Sequence, residues 1–103
     1  MTRSVILAAR RSPVAPRGGA LSRLDLHELA GPVLETLLRD AATEPDEIGE
    51  IIVSNALGAG GNPARVIALA AGWPDRIGGL SIDRQCAGGL DAILLADAMI
   101  RSG

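Results

Sequence analysis

An α/β fold in βαβαβα order, with three largely parallel strands, is what this chain predicts, and two patterns carry the expectation. Near-continuous runs of β-branched and aliphatic residues at 4–9, 50–55 and 80–84 have the character of strands buried on both faces. Each run is followed by a segment with helical signals, so strand alternates with helix and right-handed crossovers connect parallel strands.

The first strand, residues 4–9 around Val5-Ile6-Leu7, leads into a loop over 10–20 marked by Pro13, Pro16 and Gly18-Gly19. Leu26, Leu29, Ala30, Val33, Leu34, Leu37, Leu38 and Ala41 then recur at i, i+3, i+4 and i+7, the stripe of an amphipathic helix. Ser22 or Asp25 is the expected cap, with Ser22-x-x-Asp25 loosely fitting a capping box. Gly31-Pro32 interrupts this pattern. Proline beyond the first turn removes a backbone hydrogen bond, so a late helix start or a kink is expected.

Residues 43–49 read as an acidic turn, and Ile51-Ile52-Val53 centre the second strand. The loop over 57–61 carries three glycines and reads as flexible. Asn62 caps the next helix with Pro63 at its first position, where the missing N–H costs nothing. Gly72 suits the C′ position and Pro74 stops the helix. After the third strand, a helix over 87–102 is apolar almost all round, interrupted by Asp91 and Asp97. Such a helix belongs between layers. No internal repeat, low-complexity tract or interdomain linker divides residues 1–103.

The 103 residues are 48% hydrophobic, with Trp73 the sole aromatic, so the core must be built from Leu, Ile, Val and Ala. All ten basic residues are arginine, which excludes a Schiff-base or P-loop lysine from this segment. A net charge of −2 gives no field to draw nucleic acid. No run reaches membrane-span length, and the amino terminus lacks the pattern of a secretory signal. A cytoplasmic protein with neither nucleic-acid nor membrane partners is expected. One cysteine makes no internal disulfide, and no Cys/His pairing has zinc spacing, so no metal is expected.

That cysteine, Cys86, falls where the third strand hands over to the last helix. Backbone N–H groups opening a helix, with the positive end of its dipole, favour thiolate over thiol, making Cys86 a candidate nucleophile. Set against this, a lone cysteine is more often a small core hydrophobe. Gly88 and Gly89 point toward chemistry, since they cost helix stability yet let a substrate carbonyl or another backbone approach, but this spacing alone does not outweigh the core reading. His27 sits beside Glu28 in the first turn of the amphipathic helix, opposite the apolar stripe, where a solvated surface role is expected.

Four ordered blocks carry a family resemblance: Val5-Ile6-Leu7-Ala8-Ala9-Arg10-Arg11-Ser12-Pro13, Gly19-Ala20-Leu21, Asn62-Pro63-Ala64-Arg65, and Asp83-Arg84-Gln85-Cys86-Ala87-Gly88-Gly89-Leu90-Asp91-Ala92-Ile93. In register over essentially the whole chain, they resemble the N-terminal part of thiolases, the acetyl-CoA acyltransferases. The resemblance implies a thiolase-like N-terminal segment, incomplete relative to the full fold. It also implies an acyltransferase of fatty acid metabolism. Cys86 would attack a 3-ketoacyl-CoA, hold the acyl group as a thioester, and contribute its backbone N–H to an oxyanion hole. Coenzyme A is then a substrate and no permanent cofactor is implied. The activating histidine and second cysteine of thiolases fall beyond this segment, and His27 does not substitute for them. A homo-oligomer formed around residues 80–84 is implied for an intact protein.

The chain departs from the family pattern at Gly88, where thiolases usually carry Ser or Thr, and at Asp83, where they usually carry a small polar residue. A carboxylate there opposes thiolate formation unless Arg84 offsets it. Two alternatives stand beside the acyltransferase reading. One is an inactive truncated remnant acting by association with another chain, and the other is a ketoacyl-synthase-like condensing-enzyme fragment. The Asn62-Pro63-Ala64-Arg65 block and the loop after the first strand favour thiolase.

Overall fold

The leucine-rich stripe folds as the helix α1, Leu26–Asp40, in a computed structural model that describes residues 2–58 and 60–103. Its cap is Asp25, and the capping box pairs Asp25 with Glu28 rather than Ser22 with Asp25: the Asp25 N–H donates to Glu28 Oε1 at 3.1 Å. Ser22 instead donates its hydroxyl to the Gly19 carbonyl at 2.8 Å. The helix does not start late. Pro32 lies inside it, leaving the Glu28 carbonyl without its usual N–H donor.

A Schellman motif ends α1: the Thr43 N–H reaches the Leu38 carbonyl at 2.9 Å and the Ala42 N–H reaches Arg39 at 3.1 Å. Ala42 takes the left-handed position at φ +49°, where glycine is usual. The acidic turn contains a 3-10 helix, Pro45–Glu47.

Among the described residues two strands form the sheet, β1 at Ile52–Ser54 and β2 at Leu80–Ile82, parallel and in the register Ile52↔Leu80, Val53↔Ser81, Ser54↔Ile82. Between them runs α2, Pro63–Ala70, capped by Asn62, whose side chain accepts from the Arg65 N–H. Its end is a second Schellman motif, with Gly72 at φ +75° and the Trp73 N–H on the Ala68 carbonyl at 3.0 Å. The cap, the N1 proline and the C′ glycine all stand where the sequence predicts. Residue 59, in the glycine loop, lies outside the described residues.

The expected first strand joins no ladder among the described residues. Val5, Ile6 and Leu7 are 71%, 79% and 70% exposed. A strand needs a neighbour for its N–H and C=O groups, and this segment lies beside α1 instead. Val5, Ile6, Leu7 and Ala8 face Leu34, Leu37 and Leu38 across a cavity of about 370 Å³. Arg10 Nε meets Asp40 Oδ2 at 2.5 Å, and this hydrogen bond and charge raise the arginine's pKa. The Ser4 hydroxyl donates to Asp97.

The core lies between α1, α2 and β1, where Ile51, Ala64, Ile67, Ala68, Trp73 and Ile77 form one buried cluster with Leu34, Leu38 and Val53 against it. Burying one side chain the size of Ile77 contributes about 1.5–3 kcal/mol. Strand alternation then turns Ser54 away from that cluster. It meets the last helix, α3 at Gly88–Ser102, which packs chiefly on β1. The apolar composition of α3 predicts an interior position, yet Leu90, Ile93, Leu94 and Ile100 are exposed, because the sheet it lies on is only two strands wide.

Candidate active site around Cys86

The link from β2 to α3 is a tight turn held at several points. Asp83 Oδ1 accepts from the Gln85 N–H at 2.9 Å, the short-range turn that an aspartate favours. Gln85 adopts φ +50°, an uncommon conformation for a residue with a Cβ, and it is the residue immediately before Cys86. A 3-10 turn, Gln85–Ala87, follows, closed by the Ala87 N–H on the Arg84 carbonyl at 3.1 Å and the Gly88 N–H on Gln85.

Cys86 is the central residue of that turn, two positions before α3 begins, and its side chain is exposed and free. The core-hydrophobe reading therefore fails. Arg84 pairs with Asp91 rather than with Asp83. Its Nε lies 2.6 Å from Asp91 Oδ2, tying the turn to the first turn of α3. An aspartate there also suits the positive end of the helix.

The two glycines separate into different roles. A Cβ on Gly88 would stand 1.8 Å from Ser54 Oγ and 2.7 Å from Ser54 Cβ, so this buried position is glycine because β1 occupies the space. A Cβ on Gly89 would meet nothing within 4 Å. Only Gly89 leaves open room beside the turn.

His27 is half-buried rather than solvated, and it lies near Asp25 and Glu28, one ligand atom of each of the three within 4.8 Å of the others. These three are a group that could hold a cation, but both acids are engaged in the capping box at a helix end whose dipole opposes positive charge. His27 and Cys86 stand on different parts of the fold: α1 packs on α2, whereas the helix after Cys86 packs on β1. A cavity of about 820 Å³ lies between α1 and the end of α2, lined by Leu34, Leu38 and Trp73, and another of about 510 Å³ by Leu29, Val33 and Val53. Neither includes Cys86.

The Asn62-Pro63-Ala64-Arg65 block ties α2 to the strand leading to Cys86. Asn62 Nδ2 donates to the Gly79 carbonyl at 3.0 Å, and Arg65 Nη1 donates to the carbonyls of Asp75 and Ile77 at 3.0 and 2.6 Å. Sequence reasoning singled out neither Ser54 nor the conformation of Gln85. Their roles arise from contact and backbone geometry that no motif marks.

A parallel αβ unit thus presents a free cysteine at the entrance to a helix that lies on the sheet. The family model described as the thiolase N-terminal domain matches residues 4–103, and the chain belongs to the thiolase family. A probable acetyl-CoA acyltransferase of Staphylococcus aureus is 35% identical over 105 residues, covering 100% of this chain and 27% of that protein. The crystal structure of a Bacillus anthracis acetyl-CoA acetyltransferase superposes with a TM-score of 0.89 and 42% identity, over 94% of this chain and 25% of that one. A thiolase from Ascaris suum, solved in complex with coenzyme A, gives 0.77 and 28%, over 82% of this chain and 23% of that one. The chain thus spans about a quarter of the length of the relatives it matches. Among the described residues no helix is long and apolar enough to cross a membrane.

Proposed function

We propose that residues 1–103 are the N-terminal piece of a thiolase N-terminal domain and carry the nucleophile of its acyltransferase site, Cys86. In the thiolytic direction the Cys86 sulfur attacks the 3-keto carbon of a 3-ketoacyl-CoA. The bond between C2 and C3 breaks, its electron pair leaves on the acetyl-CoA fragment, and a general acid outside these residues supplies the proton. The acyl group remains on sulfur until free coenzyme A, its thiol proton taken by the group that gave its own in the first half, attacks and releases the shortened acyl-CoA with return of the thiolate; reversal of these steps is a Claisen condensation. Covalent catalysis divides one difficult step into two. The Cys86 N–H is assigned as one donor to the oxyanion. Coenzyme A is a passing substrate in this reading, supported by the Ascaris thiolase solved with it. A homo-oligomeric, cytoplasmic enzyme of fatty acid metabolism is its setting.

The observation that supports this most is the exposed Cys86 at the head of α3, directly after a residue with positive φ. Iodoacetamide should alkylate Cys86 faster in the folded chain near pH 7 than in the urea-unfolded chain. Equal rates would remove the nucleophile reading. The pure 103-residue chain should show no CoA-dependent cleavage of acetoacetyl-CoA, and turnover by it would show the activating groups to be present here.

A second reading, an inactive remnant that acts by associating with another chain, is favoured by the exposed apolar residues 5–7 and those of α3. Formation of an acyl-thioester on Cys86 would count against it.

A further inference from the structure

We infer that Ser54 is a positioning residue for Cys86, acting through its contact with Gly88. Ser54 is the last residue of β1, and in the ladder it pairs with Ile82, the last residue of β2. The hydrogen bond from the Asn55 N–H to the Ile82 carbonyl, 2.8 Å, holds that end of the ladder shut. Six residues further along the chain, Gly88 packs directly on the Ser54 side chain. One residue of β1 therefore meets both ends of the excursion, residues 83–87, that carries Cys86.

The contact has no slack. The side chain of Ser54 fills the space a Cβ on Gly88 would need, and the nearest atoms include the Ser54 Cβ as well as its hydroxyl. Two side chains cannot occupy this space. Rotating the hydroxyl away relieves only part of the clash, because the Ser54 Cβ is fixed by the strand. A residue larger than glycine at 88 must therefore push the opening of α3 away from β1. The Ala87 and Gly88 N–H groups close the turn that carries Cys86, on the carbonyls of Arg84 and Gln85. Displacing them changes the reactivity of the thiol even where the fold survives.

This inference rests on Cys86 being the reactive group, and the experiment separates the two ideas. The readout is the iodoacetamide alkylation rate of the folded chain relative to the same chain unfolded in urea, with circular dichroism checking the fold. Gly88→Ala should lower that ratio by about threefold. Adding Ser54→Gly should restore it, whereas adding Ser54→Ala should not, because the Cβ contact persists. A general packing defect would change thermal stability in the same variants without this pattern in the ratio. An unchanged ratio in Gly88→Ala, or equal rescue by Ser54→Ala and Ser54→Gly, overturns the positioning role. Should Gly88→Ala fail to fold, Ser54→Gly alone decides: loosening the contact should lower the ratio, and an unaltered ratio overturns the inference. A parent ratio of one would remove the nucleophile reading, while the changes between variants would still decide the role of Ser54.

Discussion

The Ser81 hydroxyl donates to Asn62 Oδ1 at 2.5 Å while accepting from the Ala64 N–H at 3.0 Å, so a strand residue completes the cap of α2. Asn62 Oδ1 also accepts from the Arg65 N–H at 3.2 Å, and the Asn62 amide reaches the Gly79 carbonyl. The cap is thus shared between helix and strand. Asn62→Ala should lower stability by about 1–2 kcal/mol in urea unfolding. Ser81→Ala should cost about 1 kcal/mol, and the double variant less than the sum, since both remove one network. Strict additivity would show that the two act separately.

Gly79 makes the sharpest packing prediction. A Cβ there would stand 2.6 Å from the Arg65 backbone nitrogen and 2.8 Å from its Cα, at φ +84°. Backbone cannot swing aside as a side chain can, so Gly79→Ala should destabilise by roughly 2–4 kcal/mol. Its neighbour is the control. A Cβ on Gly78 meets nothing within 4 Å, and Gly78→Ala should stay within about 0.5 kcal/mol of the parent. Similar melting temperatures for the two variants would contradict the close approach of β2 to α2.

Ala42, at φ +49°, occupies a position in the end of α1 that glycine fills more cheaply. Relief of that strain exceeds the added freedom of the unfolded chain, so Ala42→Gly should stabilise by roughly 0.5–1 kcal/mol. A lowered denaturation midpoint would show that Ala42 is not strained.

Gln85 carries the same kind of strain beside Cys86. Gln85→Val should cost more than about 1 kcal/mol, because a β-branched residue fits this conformation worst. Gln85→Gly should preserve or raise stability while loosening the turn, and the alkylation rate of Cys86 should fall. A rate unaffected by either substitution would mean that the turn does not place the thiol.

Exposed apolar side chains on α3 and at residues 5–7 predict self-association of the 103-residue chain at high concentration. Leu94→Lys should reduce it in sedimentation velocity. A parent chain that stays monomeric throughout would contradict the expectation.

Local chemistry was legible without coordinates wherever neighbours in sequence settle it. The α1 stripe from Leu26, the Asn62 cap with Pro63 behind it and the Gly72 exit all depend on bonds spanning a few residues. Cys86 at the mouth of the last helix was legible for the same reason. Tertiary structure decided what depends on distant partners. Residues 4–9 have the composition of a strand, but pairing requires a free edge presented at the right distance, and here the segment lies against α1. Arg84 turned from Asp83 to Asp91 because helix geometry brings the later carboxylate to it. Gly88 suited close approach by a substrate carbonyl or by another backbone, and the fold selects the second: its space belongs to Ser54 of β1, because packing volume is shared between residues that the chain keeps far apart.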